Sequence, residues 1–132
     1  MKTTGSNYLL DTNIVIEVFS GNRDIADKLH QLDTFFISAT ILGELHVGIN
    51  RVVNRTKHLK KLINFLTLCD VALVDTRTSE IFGEVSAQLY KKGKPIPSND
   101  VWISATALQY DFTLVTRDKH FSEVEKLKVE MW

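Results

Sequence analysis

Cysteine is almost missing from this chain: Cys69 is the only one in 132 residues. An internal disulfide is therefore excluded, and the expected setting is a reducing, cytoplasmic one. Cys69 follows the apolar run Phe65-Leu66-Thr67-Leu68, which favours a small buried hydrophobe over a reactive thiol. Net charge is missing as well, since sixteen basic residues balance sixteen acidic ones. Nucleic-acid binding, if present, must then come from local charge segregation. No apolar run approaches the ~20 residues that span a bilayer. Met1 to Asn7 lacks the apolar core of a signal peptide. Linkers, repeats and low-complexity stretches are also lacking, and both prolines fall in one short segment. The 44% hydrophobic and 24% charged fractions are those of an ordinary globular domain, and a single domain over 1–132 is expected.

Short apolar runs alternate with helical patterns. Tyr8 to Leu10, Phe35 to Ile37, Val71 to Val74 and Phe112 to Val115 read as strands, and Lys128 to Trp132 alternates like a short edge strand. Between them, Ile25, Leu29 and Leu32 mark a helix that Asn22 can cap. Ile41, Leu42, Leu45 and Ile49 mark another, and Leu59, Leu62, Ile63 and Leu66 repeat at i, i+3, i+4 and i+7. Asp75-Thr76 opens a helix carrying Ile81, Phe82, Val85 and Leu89, which Gly93 closes. Pro95 and Pro97 make 93–98 an extended loop, with Ser98 as the expected cap of a helix running to about Tyr110. This alternation predicts an α/β fold: a mostly parallel sheet in a three-layer α/β/α sandwich.

The acids at the element junctions carry the chemistry. Asp11 ends the first strand and Asp118 follows Phe112-Thr113-Leu114-Val115-Thr116-Arg117. Asp100 falls in the first turn of its helix. Each has a plain structural use, as an N-cap, a turn residue or a partner of the helix dipole. Glu44 has none: it lies in the second turn of its helix, beside the buried stripe, with no Lys or Arg before Arg51. Gly43 and Gly48 leave room beside it, and a metal cation is an economical partner for a carboxylate so placed. In a parallel sheet, strand C-termini and the first turns of the following helices share one edge, so the four acids are expected to meet there. Clustered carboxylates repel unless a cation neutralises them. All-oxygen ligation suits Mg²⁺ or Mn²⁺. Such ions activate water and stabilise a five-coordinate phosphorus, which points to phosphodiester hydrolysis. The histidines at 30, 46, 58 and 120 show no metal-ligand spacing and read as surface or structural groups. His120, two residues from Asp118, is the one worth testing.

From Leu45 to Cys69 there is no acid at all, while Arg51, Arg55, Lys57, Lys60 and Lys61 are present. Most charge runs are solvated helix faces. Here the stretch also suits a surface that tracks phosphates beside an acidic pocket that repels them.

Four segments in order resemble one family. They are Leu10-Asp11-Thr12-Asn13; Ser38-Ala39-Thr40-Ile41-Leu42-Gly43-Glu44-Leu45 with Gly48-Ile49; Asn99-Asp100-Val101-Trp102-Ile103-Ser104-Ala105-Thr106-Ala107; and Leu114-Val115-Thr116-Arg117-Asp118-Lys119-His120-Phe121. Together they resemble PIN-domain proteins, and more narrowly the VapC-type toxins of bacterial toxin–antitoxin pairs. The resemblance covers nearly the whole chain. It implies a Mg²⁺- or Mn²⁺-dependent endoribonuclease with Asp11, Glu44, Asp100 and Asp118 as catalytic, metal-binding acids, and with Thr12, Asn13 and Thr116 as polar support. It also implies an RNA substrate, a homodimer, and a VapB-type antitoxin whose C-terminal segment enters the active groove. Two alternatives stand beside it. A non-catalytic RNA- or partner-binding PIN-like module would not need four acids. A receiver-like phosphoacceptor domain normally has paired acids after its first strand and a late lysine, where this chain has Asp11-Thr12-Asn13 and Asp118.

Overall fold

The computed structural model describes residues 7–132; of the expectation for Met1 to Asn7, residues 1–6 lie outside it. Five strands form one sheet: β1 (Tyr8–Leu10), β2 (Phe36–Ser38), β3 (Asp70–Ala72), β4 (Thr113–Val115) and β5 (Lys128–Glu130). Every pairing is parallel and the order is β3-β2-β1-β4-β5. Among the described residues, six helices fill the connections: α1 (Thr12–Phe19), α2 (Arg23–His30), α3 (Ala39–Arg51), α4 (Arg55–Leu66), α5 (Thr76–Lys92) and α6 (Ser98–Gln109). A 3₁₀ turn, Lys119–Glu123, precedes β5.

Successive strand residues face opposite sides of a sheet. Leu9 and Leu10 are both fully buried, as are Leu114 and Val115, so helices cover both faces. This is the expected α/β/α sandwich, with a wholly parallel sheet in place of a mostly parallel one. One hydrophobic cluster joins β1, β2 and β4 to α1 through α4. A smaller one joins Ile81, Val85 and Leu89 of α5 to Val101 and Ala105 of α6 and to Val124. Because α6 is buried from several sides, its sequence shows little of the one-faced pattern of a surface helix. The strand order also removes the receiver-like alternative, which takes the order 2-1-3-4-5. No helix among the described residues is long and apolar enough to cross a membrane.

Several local expectations change. The third strand begins one residue early and stops at Ala72; Leu73 and Val74, beyond the ladder on the sheet's outer strand, are exposed. Ile63 is exposed, and Phe65 takes the core position of α4 beside Leu62, packing edge-on against Phe19. Ser98 does not cap α6: it is the first helical residue, Pro97 holds the cap position, and no side chain of the described residues closes that end. Elsewhere the punctuation holds. Asn22 accepts from the Ile25 amide, Asp75 and Thr78 form a reciprocal capping box, and Gly93 closes α5 with φ +73°, a left-handed conformation open to glycine. Cys69 is half-buried, with its thiol directed at the Phe65 carbonyl. Burial, reinforced by the neighbouring Asp70 charge, pushes the thiol up to about 11, so it is an inert group.

Candidate active site

Strand order reverses direction between β1 and β4, and the crevice outside such a reversal is where open α/β sheets place their sites. Leu10 pairs with Val115 in the parallel register, so the next residues, Asp11 and Thr116, emerge side by side. The Asp11 amide extends the ladder by donating to the Val115 carbonyl at 2.9 Å. Its carboxylate accepts from the Thr12 amide at 2.9 Å, the buried Thr116 hydroxyl at 2.7 Å and the Asn13 side-chain amide at 3.3 Å. Asp11 is therefore the N-cap of α1, as its bland reading requires, and is 6% exposed. Burial raises its pKa above the usual carboxylate range against the opposing hydrogen bonds, and the Asp100 and Glu44 charges raise it further.

Glu44 reaches this edge from the second turn of α3, as expected from its position. Its Oε1 accepts from the Thr12 hydroxyl at 2.7 Å, and no cation of the described residues pairs with it. A Cβ built on Gly43 or Gly48 would meet nothing within 4 Å. Beside Glu44 opens a groove of about 420 Å³, lined in part by Thr12, Ile16, Gly48, Val52, His58 and Lys61.

Asp100 sits in the first turn of α6, and Asp118 caps the 3₁₀ turn that follows β4. His120 lies between them. Its Nε2 is 2.7 Å from Asp100 Oδ2, and its Nδ1 is 2.7 Å from Asp118 Oδ1. Burial lifts the Asp100 pKa; contact with His120 opposes this, and the Asp118 charge adds to it. The Asp118 amide donates to Thr116 Oγ1 at 3.0 Å, so Thr116 links this group to Asp11. His120 is thus half-buried rather than on the surface, and it bridges two of the candidate acids. Its only sequence signal was its place two residues after Asp118, because the 20 residues back to Asp100 show no ligand spacing.

Three acids keep one oxygen that accepts no hydrogen bond from the described residues: Glu44 Oε2, Asp100 Oδ1 and Asp118 Oδ2. Carboxylate oxygens without a donor suit a divalent cation that prefers oxygen. The polar residues fall where they can support them: Thr12 on Glu44, Thr116 on Asp11 and Asp118, and Asn13 on Asp11 and on the Arg117 amide at 3.3 Å. Arg117 also pairs with Glu17 at 2.7 Å and donates to the Trp132 carbonyl at 3.1 Å, tying the chain's end to this corner.

The basic stretch forms the end of α3 and much of α4. Arg51, Arg55, Lys57 and Lys60 are exposed, and none forms an ion pair among the described residues. Arg55 donates to the Asn50 side chain, and half-buried Lys61 donates to the Phe19 carbonyl at 3.2 Å on the groove wall.

The PIN domain model matches residues 8–127. The chain belongs to the PIN domain family. It is similar to ribonuclease VapC2 of Rickettsia felis, 29% identical over 130 residues that cover 95% of this chain and 97% of the relative. Ribonuclease VapC2 of Haemophilus influenzae is also 29% identical, over 128 residues covering 95% and 97%. Among solved structures, VapBC2 from Rickettsia felis bound to a promoter DNA fragment superposes with a TM-score of 0.92, at 28% identity over 96% of this chain and 98% of that one. VapBC-1 from nontypeable Haemophilus influenzae gives a TM-score of 0.87 at 27% identity, with the same coverage.

Proposed function

We propose that this PIN protein is a metal-dependent endoribonuclease, the toxin of a VapBC-type pair, neutralised by a cognate antitoxin. The observation that supports the reading is the close set of Asp100, Asp118 and His120, beside a buried Asp11 whose pKa is raised by burial and further by the Asp100 and Glu44 charges, with one oxygen each of Glu44, Asp100 and Asp118 accepting no bond among the described residues. The naming of the relatives as VapC ribonucleases, and of the structural neighbours as VapBC complexes, supports the same assignment.

The four acids are the proposed holders of Mg²⁺ or Mn²⁺. When bound, the cation supplies positive charge for the phosphodiester and lowers the pKa of a nearby water. The chain's own residues set the geometry. Thr116 and the Thr12 amide fix the Asp11 carboxylate, and the Thr12 hydroxyl aims Glu44. Exposed Arg51, Arg55, Lys57 and Lys60, with Lys61 on the groove wall, offset the repulsion between the acids and the RNA backbone. The groove beside Glu44, with half-exposed Ile16 and Val52 on its walls, suits the antitoxin's C-terminal segment. A homodimer in the cytoplasm completes the proposal.

The test is cleavage of total bacterial RNA by the purified, antitoxin-free protein with Mg²⁺, with Mn²⁺ and with EDTA, beside an Asp100→Asn control. Discrete fragments that need metal and vanish in the control are expected, and mapping their ends names the substrate. Folded protein that cleaves nothing under any metal would leave a non-catalytic binding module as the better description. Removing two of the phosphate-facing cations, with Lys57→Ala and Lys60→Ala together, should lower the slope of log affinity against log salt by about 1.4 for single-stranded RNA.

A further inference from the structure

We propose that His120 is a nitrogen ligand of the metal site, binding through Nε2 beside Asp100, and that it biases this site towards Mn²⁺ over Mg²⁺. The inference rests on the metal-dependent reading above and adds a residue and an ion preference to it.

The imidazole is held from both sides. Nδ1 lies 2.7 Å from Asp118 Oδ1, which also accepts the His120 backbone amide at 3.2 Å, so one carboxylate oxygen fixes both the ring and its backbone. The ring also packs on Phe121 with centroids 4.9 Å apart. Nε2 is thereby aimed at Asp100 Oδ2, 2.7 Å away. Metal-ligating histidines characteristically give their second nitrogen to a carboxylate, which fixes tautomer and ring orientation. Donor atoms from Asp100, Asp118 and His120 lie within 4.8 Å of one another. Neighbouring donors around a six-coordinate ion with bonds of about 2.1 Å sit roughly 3 Å apart. An ion bound there replaces the proton shared by Nε2 and Oδ2, which is released to solvent; the two atoms open to about 3 Å and the ring turns so that the Nε2 lone pair meets the ion. Asp100 Oδ1 and Asp118 Oδ2 accept no other bond among the described residues and stay available. No lysine or arginine of the described residues pairs with Asp100 or Asp118.

The ion preference follows from the donor. Mg²⁺ is a hard ion that takes oxygen and keeps its waters, whereas imidazole suits transition metals. Replacing one oxygen or water by Nε2 therefore favours Mn²⁺, while the remaining carboxylates keep the site within reach of both ions.

The experiment titrates Mn²⁺ into purified protein and reads the bound ion by pulsed electron paramagnetic resonance for coupling to ¹⁴N. His120→Gln and His58→Gln are run in parallel, the second because His58 lines the groove next to Glu44. The wild type and His58→Gln should show the nitrogen coupling. His120→Gln should lose it, bind Mn²⁺ roughly 10- to 100-fold more weakly, and keep its Mg²⁺ affinity within about 3-fold. Mn²⁺ bound by the wild type without nitrogen coupling, or coupling that survives in His120→Gln, overturns the assignment and leaves the four-acid site standing. A wild type that binds no Mn²⁺ overturns both. If His120→Gln misfolds, coupling retained in His58→Gln still supports the assignment, and its absence from the wild type still overturns it.

Discussion

The two halves of the site satisfy their carboxylates by different chemistry. Around Asp11 and Glu44 every donor among the described residues is neutral: a backbone amide, a side-chain amide and two threonine hydroxyls. Around Asp100 and Asp118 a single imidazole serves both acids. The first half is built into adjacent parallel strands, where the register alone brings Asp11 to Thr116. The second half joins a helix start to a short turn 20 residues on, and its closure depends on one ring. Neutral donors orient a carboxylate without cancelling its charge, and burial keeps the Asp11 pKa raised in spite of the Thr116 and Thr12 hydrogen bonds. The site is thus oriented by the fold but left short of positive charge, the condition for holding a cation.

The largest expected effect comes from removing charge in either half. Asp11→Asn or Asp100→Asn should cut RNA cleavage by roughly 10³-fold or more, the loss of several kcal/mol of cation-dependent stabilisation. The check is initial rates at saturating Mn²⁺ with fold confirmed by circular dichroism. If one variant keeps near-wild-type activity, the half it belongs to is not part of the metal site.

Breaking the link between the halves comes next. Thr116→Val removes a buried hydroxyl that donates to Asp11 and accepts from the Asp118 amide, leaving both without that partner. A loss of about 1–3 kcal/mol in urea unfolding is expected. Thr12→Val, at a half-buried position, should cost about 1 kcal/mol or less. Equal losses would mean that Thr116 does not join the halves in the way described.

The pH dependence sharpens the same contrast. Burial and neighbouring acids raise the Asp11 pKa above 3.8, so the folded chain holds that proton more tightly than the unfolded chain. The resulting contribution to stability is present at low pH and is lost as pH rises through the folded value. In EDTA, Asp11→Asn should therefore melt higher than the wild type near neutral pH, and the gap should close on acidification. A gap independent of pH, read by thermal melts between about pH 4 and 8, would place the effect elsewhere. Smallest of all is Arg117→Ala. Its pair with Glu17 is about 41% and 33% exposed, and its loss should change stability by under about 1 kcal/mol.

Much of this could be read from the sequence because it depends on near neighbours. Helix stripes are set by spacing, and caps such as Asn22, Asp75 and Gly93 act within one turn. Asp11, Asp100 and Asp118 stand out because each follows a strand or opens a helix, positions that a parallel sheet sends to one edge, and Glu44 because its second-turn place offers it no cap or cationic partner. Misreadings fell where distant packing decides. Ile63 and Phe65 are both apolar and two positions apart, and only the placing of Phe19 and Phe35 selects Phe65 for the core. Leu73 and Val74 extend an apolar run, yet the ladder ends at Ala72.

The sequence by itself determined the alternation of strands and helices, and with it the parallel sheet and the edge at which Asp11, Glu44, Asp100 and Asp118 are expected. These follow from periodicity and chain direction, which act over a few residues. Only the tertiary structure decided the strand order that sets Asp11 against Thr116, and the fold of the turn after β4 that lays His120 between Asp100 and Asp118. Those contacts join residues 105 and 20 positions apart, and no local spacing encodes a distance that the packing of the whole domain must close.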